Sequence, residues 1–154
     1  MEEQGLLQRI CRWGLWISII LVLILTTVQG VSGNWTVFYL LWPGYNAGDT
    51  FLRIVVWLSF FHIKTGFAIG AVSILIIVFA FLSKSNWYVR AFSVVGLAVM
   101  FSAAMGGYLF VTTAFEDRLS LGQMADSSIA VFAAYFLMLF FMNKVPRWPW
   151  RHAG

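Results

Sequence analysis

The sequence predicts an all-α polytopic membrane protein, an antiparallel four-helix transmembrane bundle, and three observations carry that prediction. Of 154 residues, 61% are hydrophobic and only 10% charged, against about 25% charged in an ordinary soluble domain. Four apolar runs, 13–33, 54–82, 91–115 and 124–142, reach the length of about 20 residues that a hydrocarbon core of about 30 Å asks of a helix. The cations then alternate along the chain as they do at the cytoplasmic ends of spans. Arg9 and Arg12 precede the first run, Lys84 and Arg90 lie between the second and third, and Lys144, Arg147 and Arg151 follow the fourth. Residues 1–154 therefore form one four-span domain in the plasma membrane, with both termini expected in the cytoplasm.

The lead MEEQGLLQRICRWG suits a helix lying at the cytoplasmic interface before it turns inward. Its arginines before an apolar core resemble a secretory signal, but the core is about 20 residues long and no clear small-residue cleavage site follows. Cys11 is the only cysteine, so neither an intrachain disulfide nor a cysteine-based metal site is available. At the outer end of the first span Thr26, Thr27, Gln29, Gly30 and Gly33 accumulate. They mark either a fraying helix end or a polar site between helices reached by Gln29 or Thr26.

Residues 34–50 are expected to form an aromatic outer loop, a lid with Val37 to Trp42 in the interface, because Gly, Pro, Asn and Asp break the segment. Asn34, Trp35 and Thr36 form a glycosylation sequon on that side. The second span carries His62 and Lys64 inside its apolar run. His62 falls about 8 residues, or about 12 Å, below the start of the span. Gly66 and Gly70 follow it at steps of four and share its helix face. Lys64 points elsewhere and can snorkel toward the outer headgroups, while Arg53, above His62, either anchors at the same interface or meets an acidic group of a ligand.

SKSNWYVR is a tight basic turn. The third span carries Gly96, Ala103 and Gly107, and Ser102 with Gly106, at spacings that allow close helix contact in a membrane. After the short turn EDRLSLGQ the fourth span opens MADSSIA. Asp126 is expected in its first turn, favoured there by the helix dipole, with Ser127 and Ser128 helping to satisfy the first amides.

An ionisable residue inside a span usually faces a partner, a cofactor or a wet cavity; the plain alternative for His62 is a hydrogen-bonded residue between helices. His62, Gly66, Gly70, Gly106, Gly107 and Asp126 fall near one depth, and haem iron takes axial His from bundle helices. His62 is the one candidate metal ligand in the membrane. A single chain lacks a second imidazole there, so an axial Met such as Met105 or Met124, a dimer or an open sixth position would complete such a site.

The order of features resembles one four-helix half of the haem A synthase family and the b-type four-helix membrane cytochromes. The residues that carry the resemblance are VQGVSGNW and LLWPG after the first span, FFHIKTGFAIG in the second, SAAMGGYLFV in the third and MADSSIA in the fourth. In MADSSIA, Asp126 stands where the family has its second His. The acidic residue of the family's outer loop has Asp49 as its nearest counterpart. The resemblance implies haem as cofactor, held through His62, in a haem-handling or electron-transfer protein.

Three classes of function follow. One is a haem-associated membrane protein. Another is a non-catalytic accessory subunit of a larger, respiratory-type membrane complex, or a homo-oligomer, in which the small-residue faces are helix contacts and Lys64 pairs with a carboxylate on a neighbour. A transporter with His62, Lys64 and Asp126 along a path is the third, opposed by the apolar inner half of every span. The lipid bilayer is a partner in all three. The basic ends are explained by topology and headgroup contact, so nucleic acid is not expected, and no nucleophile with a base or phosphate loop is evident.

Overall fold

The computed structural model describes residues 2–41, 49–113 and 118–144, and these are helical apart from a short turn at 83–86 and the residue that closes the third helix. The helices are α1 (Glu2–Leu41), α2 (Asp49–Leu82), α3 (Trp87–Thr112) and α4 (Arg118–Lys144). Each contains a stretch apolar and long enough to cross a membrane: Gly5–Trp35, Val56–Leu82, Trp87–Thr112 and Leu119–Met142. The helices are apolar around most of their circumference, with Ile24, Phe67, Phe101 and Phe136 exposed, as befits helices surrounded by hydrocarbon rather than water.

α1 packs along α2, and α3 along α4, while α1–α4 and α2–α3 close the ring with lighter contact. Among the described residues the backbones of the diagonal pairs α1–α3 and α2–α4 do not approach closely. Leu15, Ile19 and Val22 of α1, Ile69, Ile76 and Ala80 of α2, Val89 of α3, and Val131, Tyr135 and Met138 of α4 form the shared core.

The limits of α1, α2 and α4 differ from the sequence reading: α2 begins at Asp49, so residues 49–50 of the expected outer loop are helical. α1 runs unbroken for 40 residues, about 60 Å at 1.5 Å per residue. The lead expected to lie apart is therefore continuous with α1, and residues 34–41 of the expected outer loop are helical. Gly30, Gly33 and Asn34 weaken a helix by about 1 kcal/mol or less each, which the apolar context overrides; the strong breaker, Pro43, comes later. Residues 42–48 lie outside the described residues, as do 145–154. α4 begins at Arg118, not near Met124. Asp126 thus stands two turns inside the helix, where no free amides remain for it to neutralise.

The tight turn at 83–86 matches expectation. Ser85 N–H donates to Ala80 O at 3.2 Å and Lys84 N–H to Phe81 O at 3.1 Å, the paired bonds of a Schellman ending. Lys84 takes the left-handed position with φ 51°, which glycine more often fills. Asn86 then caps α3: its side chain accepts from Val89 N–H at 3.0 Å and donates to Phe141 O at 3.0 Å. One residue therefore starts α3 and ties it to the end of α4.

Candidate functional site

His62 reaches α1. Its Nε2 lies 3.1 Å from Gln29 Nε2, and its Nδ1 lies 3.2 Å from Ser32 Oγ. Ser32 Oγ also donates to the Gln29 backbone carbonyl at 3.1 Å. An amide nitrogen only donates, so for a neutral ring this arrangement makes Nε2 the acceptor and Nδ1–H the donor to Ser32. Gln29, Ser32 and His62 then form a closed polar ring around one turn of α1, with every link oriented consistently.

The ring fits because Gly33 has no side chain. A Cβ there would meet His62 Cε1 at 2.7 Å, closer than real Cβ contacts. Gln29, Ser32 and Gly33 sit at i, i+3 and i+4, one face of α1. Gly66, one turn beyond His62, admits the Gln29 amide; a Cβ there would lie 3.3 Å from Gln29 Nε2. The α1–α2 seam therefore holds a hydrogen-bonded imidazole in an apolar surrounding, where the lost polar contact would be costly.

The other expected site residues lie elsewhere. Gly70 faces α3, where a Cβ would meet Met100 Cε at 3.0 Å. Gly106 is buried against α4 backbone, with a would-be Cβ 3.0 Å from Ser120 O and 3.2 Å from Met124 N. A Cβ at Gly107 would lie 3.5 Å from Met124 Sδ. Asp126 and Arg53 are exposed on the outside of the bundle. The structure joins His62 with Gly66, and sets Gly70, Gly106, Gly107, Arg53 and Asp126 apart from them.

In this packing the residues do not fit a haem. The Nε2 lone pair of His62 is directed at the Gln29 amide, and the glycine faces that would admit a porphyrin are filled by Gln29, Met100 and α4. Among the described residues no group of three His, Cys, Asp or Glu side chains is arranged to hold a metal ion. Of the two polar residues His62 meets, Gln29 was a candidate from the sequence and Ser32 was not.

A second polar seam joins α3 and α4. Gln123 Nε2 donates to Ser102 Oγ at 3.1 Å, and Ser127 Oγ donates to Ser102 Oγ at 3.3 Å. Below it, Gly96 receives the Tyr135 ring, with a would-be Cβ 2.7 Å from Cζ. The Tyr135 and Ser73 hydroxyls lie within electrostatic reach of one another, yet among the described residues neither oxygen closes a hydrogen bond. Ser127 and Ser128 serve as hydrogen-bonding residues inside the helix, Ser128 donating to Met124 O at 2.8 Å, and not as caps.

At the other end of the molecule Arg12, Lys84, Ser83, Ser85 and Asn86 line a small recess of about 80 Å³. Its two cations suit contact with anionic headgroups.

Comparison with protein-family models, with curated protein sequences and with solved structures finds no match.

Proposed function

We propose that this chain is a non-catalytic integral membrane subunit, an antiparallel up-down-up-down bundle that crosses the plasma membrane four times with both ends in the cytoplasm. Contacts of Gly14 with Phe79 and Gly33 with His62, at opposite ends of α1, support the alternating helix directions. The distribution of Arg9, Arg12, Lys84 and Arg90 supports the orientation.

The observation that carries the reading is the engagement of both His62 nitrogens by Gln29 and Ser32. The most chemically capable residue of the spans is used to hold two helices together. The small residues around it are likewise filled from within the chain. What remains for interaction lies on the outer faces, which suits a component of a membrane assembly without a cofactor of its own.

The test is an absorption spectrum of the full-length protein purified in mild detergent, with blue-native electrophoresis of its native membranes. A colourless protein that migrates in an assembly larger than one chain is the expected result. A Soret band that disappears in His62→Ala would overturn this reading in favour of a haem-associated, electron-transfer or haem A synthase-like protein.

A further inference from the structure

Two charged side chains stand on opposite outer faces of the bundle at nearly one depth. Lys64 of α2 and Asp126 of α4 are both exposed, and no ion pair joins either to a described residue. α2 and α4 are diagonal neighbours whose backbones do not approach closely, so their outward faces look away from each other. Their depths follow from the packing. Gly70 sits against Met100; six residues back along α2 is Lys64, and six residues on along α3 is Gly106. Gly106 in turn packs on Met124, two residues, or about 3 Å, from Asp126.

An unpaired charge facing hydrocarbon is costly, and such residues pair with one another wherever geometry allows. Within one chain Lys64 and Asp126 are on opposite sides of the bundle. Between two chains they meet without any change of depth.

The geometry points to a second copy of this chain as the partner, docked head to tail, with α2 of one copy against α4 of the next and Lys64 paired with the neighbour's Asp126. This rests on the subunit reading above and names the partner. The two faces also complement each other in shape. Phe60, Lys64 and Phe67 project from α2, whereas Gly122, Ala130 and Ala133 flank Asp126 on the exposed face of α4. A Cβ at Gly122 would meet nothing within 4 Å, so that position is open to a large side chain. Bulk on one face and small residues on the other allow close helix approach in a membrane.

Charge also selects the symmetry. A two-fold dimer through α2 would oppose two lysines, and one through α4 would oppose two aspartates. Pairing unlike faces is heterologous, and such contacts close into a ring where the rotation per copy closes and extend as an open row where it does not. The Lys64 ammonium lies 4.3 Å from the Phe60 ring centroid, an arrangement that keeps the charge at the protein surface and available to the neighbour.

The experiment uses the full-length chain in a Cys11→Ser background, reconstituted in phosphatidylcholine vesicles and treated with copper phenanthroline. Lys64→Cys with Asp126→Cys in one chain should give a ladder of covalent species beyond dimer, and neither single cysteine should cross-link. Charge reversal checks the pairing without cysteines. Lys64→Asp or Asp126→Lys should lower the assembled fraction about tenfold, and the double reversal should restore it, with helicity followed by circular dichroism throughout. Dimers from Lys64→Cys alone, or single reversals with no effect, would overturn the inference. Monomeric vesicle protein that still co-migrates with other polypeptides in native membranes would overturn the self-pairing and leave the subunit reading intact. Monomers in both settings would remove both.

Discussion

The α1–α2 seam and the upper part of the α3–α4 seam hold helices together by different means. Between α1 and α2 the contact is polar and reaches between side chains: His62 spans the gap to Gln29 and Ser32, and Gly33 makes room for its ring. Between α3 and α4 the contact is close approach of backbone, with Gly106 laid against Ser120 and Met124. Hydrogen bonds at Ser102 are an addition to that approach. In hydrocarbon the helices gain no hydrophobic drive from meeting, so shape and polarity are the two means available. The comparison teaches that a glycine pair and a buried imidazole, similar as signs of a ligand site, are here two solutions to helix association.

The seam built on shape is the easier to break. Gly106→Val places branched carbons against the α4 backbone, which has no rotamer to yield, and should destabilise the fold by about 1–3 kcal/mol. Unfolding of the reconstituted protein by denaturing detergent measures it. The seam built on polarity gives way more softly. Gly33→Ala should expel the His62 ring and cost about 1–2 kcal/mol through its lost polar contacts, and the same change should cost little in a His62→Ala background. An undiminished cost in that background would mean that the clash lies with α1 itself and not with the imidazole.

Tyr135→Phe is the smallest effect and sharpens the contrast. Its ring fills the space left by Gly96, but its hydroxyl makes no hydrogen bond among the described residues. Removing an unpaired buried hydroxyl while keeping the shape should change stability by roughly 0.5 kcal/mol or less, or raise it. A loss of about 2 kcal/mol would reveal a hydrogen bond, to Ser73 or to water, that this geometry lacks.

Much of this was legible in the sequence, and for physical reasons. Helix number follows from apolar length, because a bilayer core sets a minimum that nothing else in a short chain imitates. The turn at 83–86 is written in SKSN, short and polar between two long apolar runs. The limits of α1 and α4 were less legible. Glycine and asparagine read as breakers at residues 30–34, but in a long apolar helix the backbone hydrogen bonds outweigh their modest propensity cost. EDRLSLGQ read as a turn, yet its Leu119 and Ser120 already belong to α4.

The site was half legible. His62 and its glycine face could be picked out because a titratable residue in an apolar run is conspicuous. Of its partner face, Gln29 and Gly33 were visible in an accumulation of polar and small residues that carried no sign of its target, and Ser32 was not singled out. Residue spacing places groups on a face of one helix; it does not say which face of which helix lies opposite. The same gap separates Gly106 and Gly107 from His62: comparable depth along two helices gave no information about whether their faces meet.

The most direct measurement is a double-mutant cycle between His62 and Gln29. Unfolding free energies of the wild type, His62→Ala, Gln29→Ala and the double variant would be compared in one lipid environment. A polar contact across two membrane helices predicts a favourable coupling of about 0.6–1.7 kcal/mol. Additive effects, with coupling near zero, would show that the imidazole does not join α1 to α2 and would contradict the account.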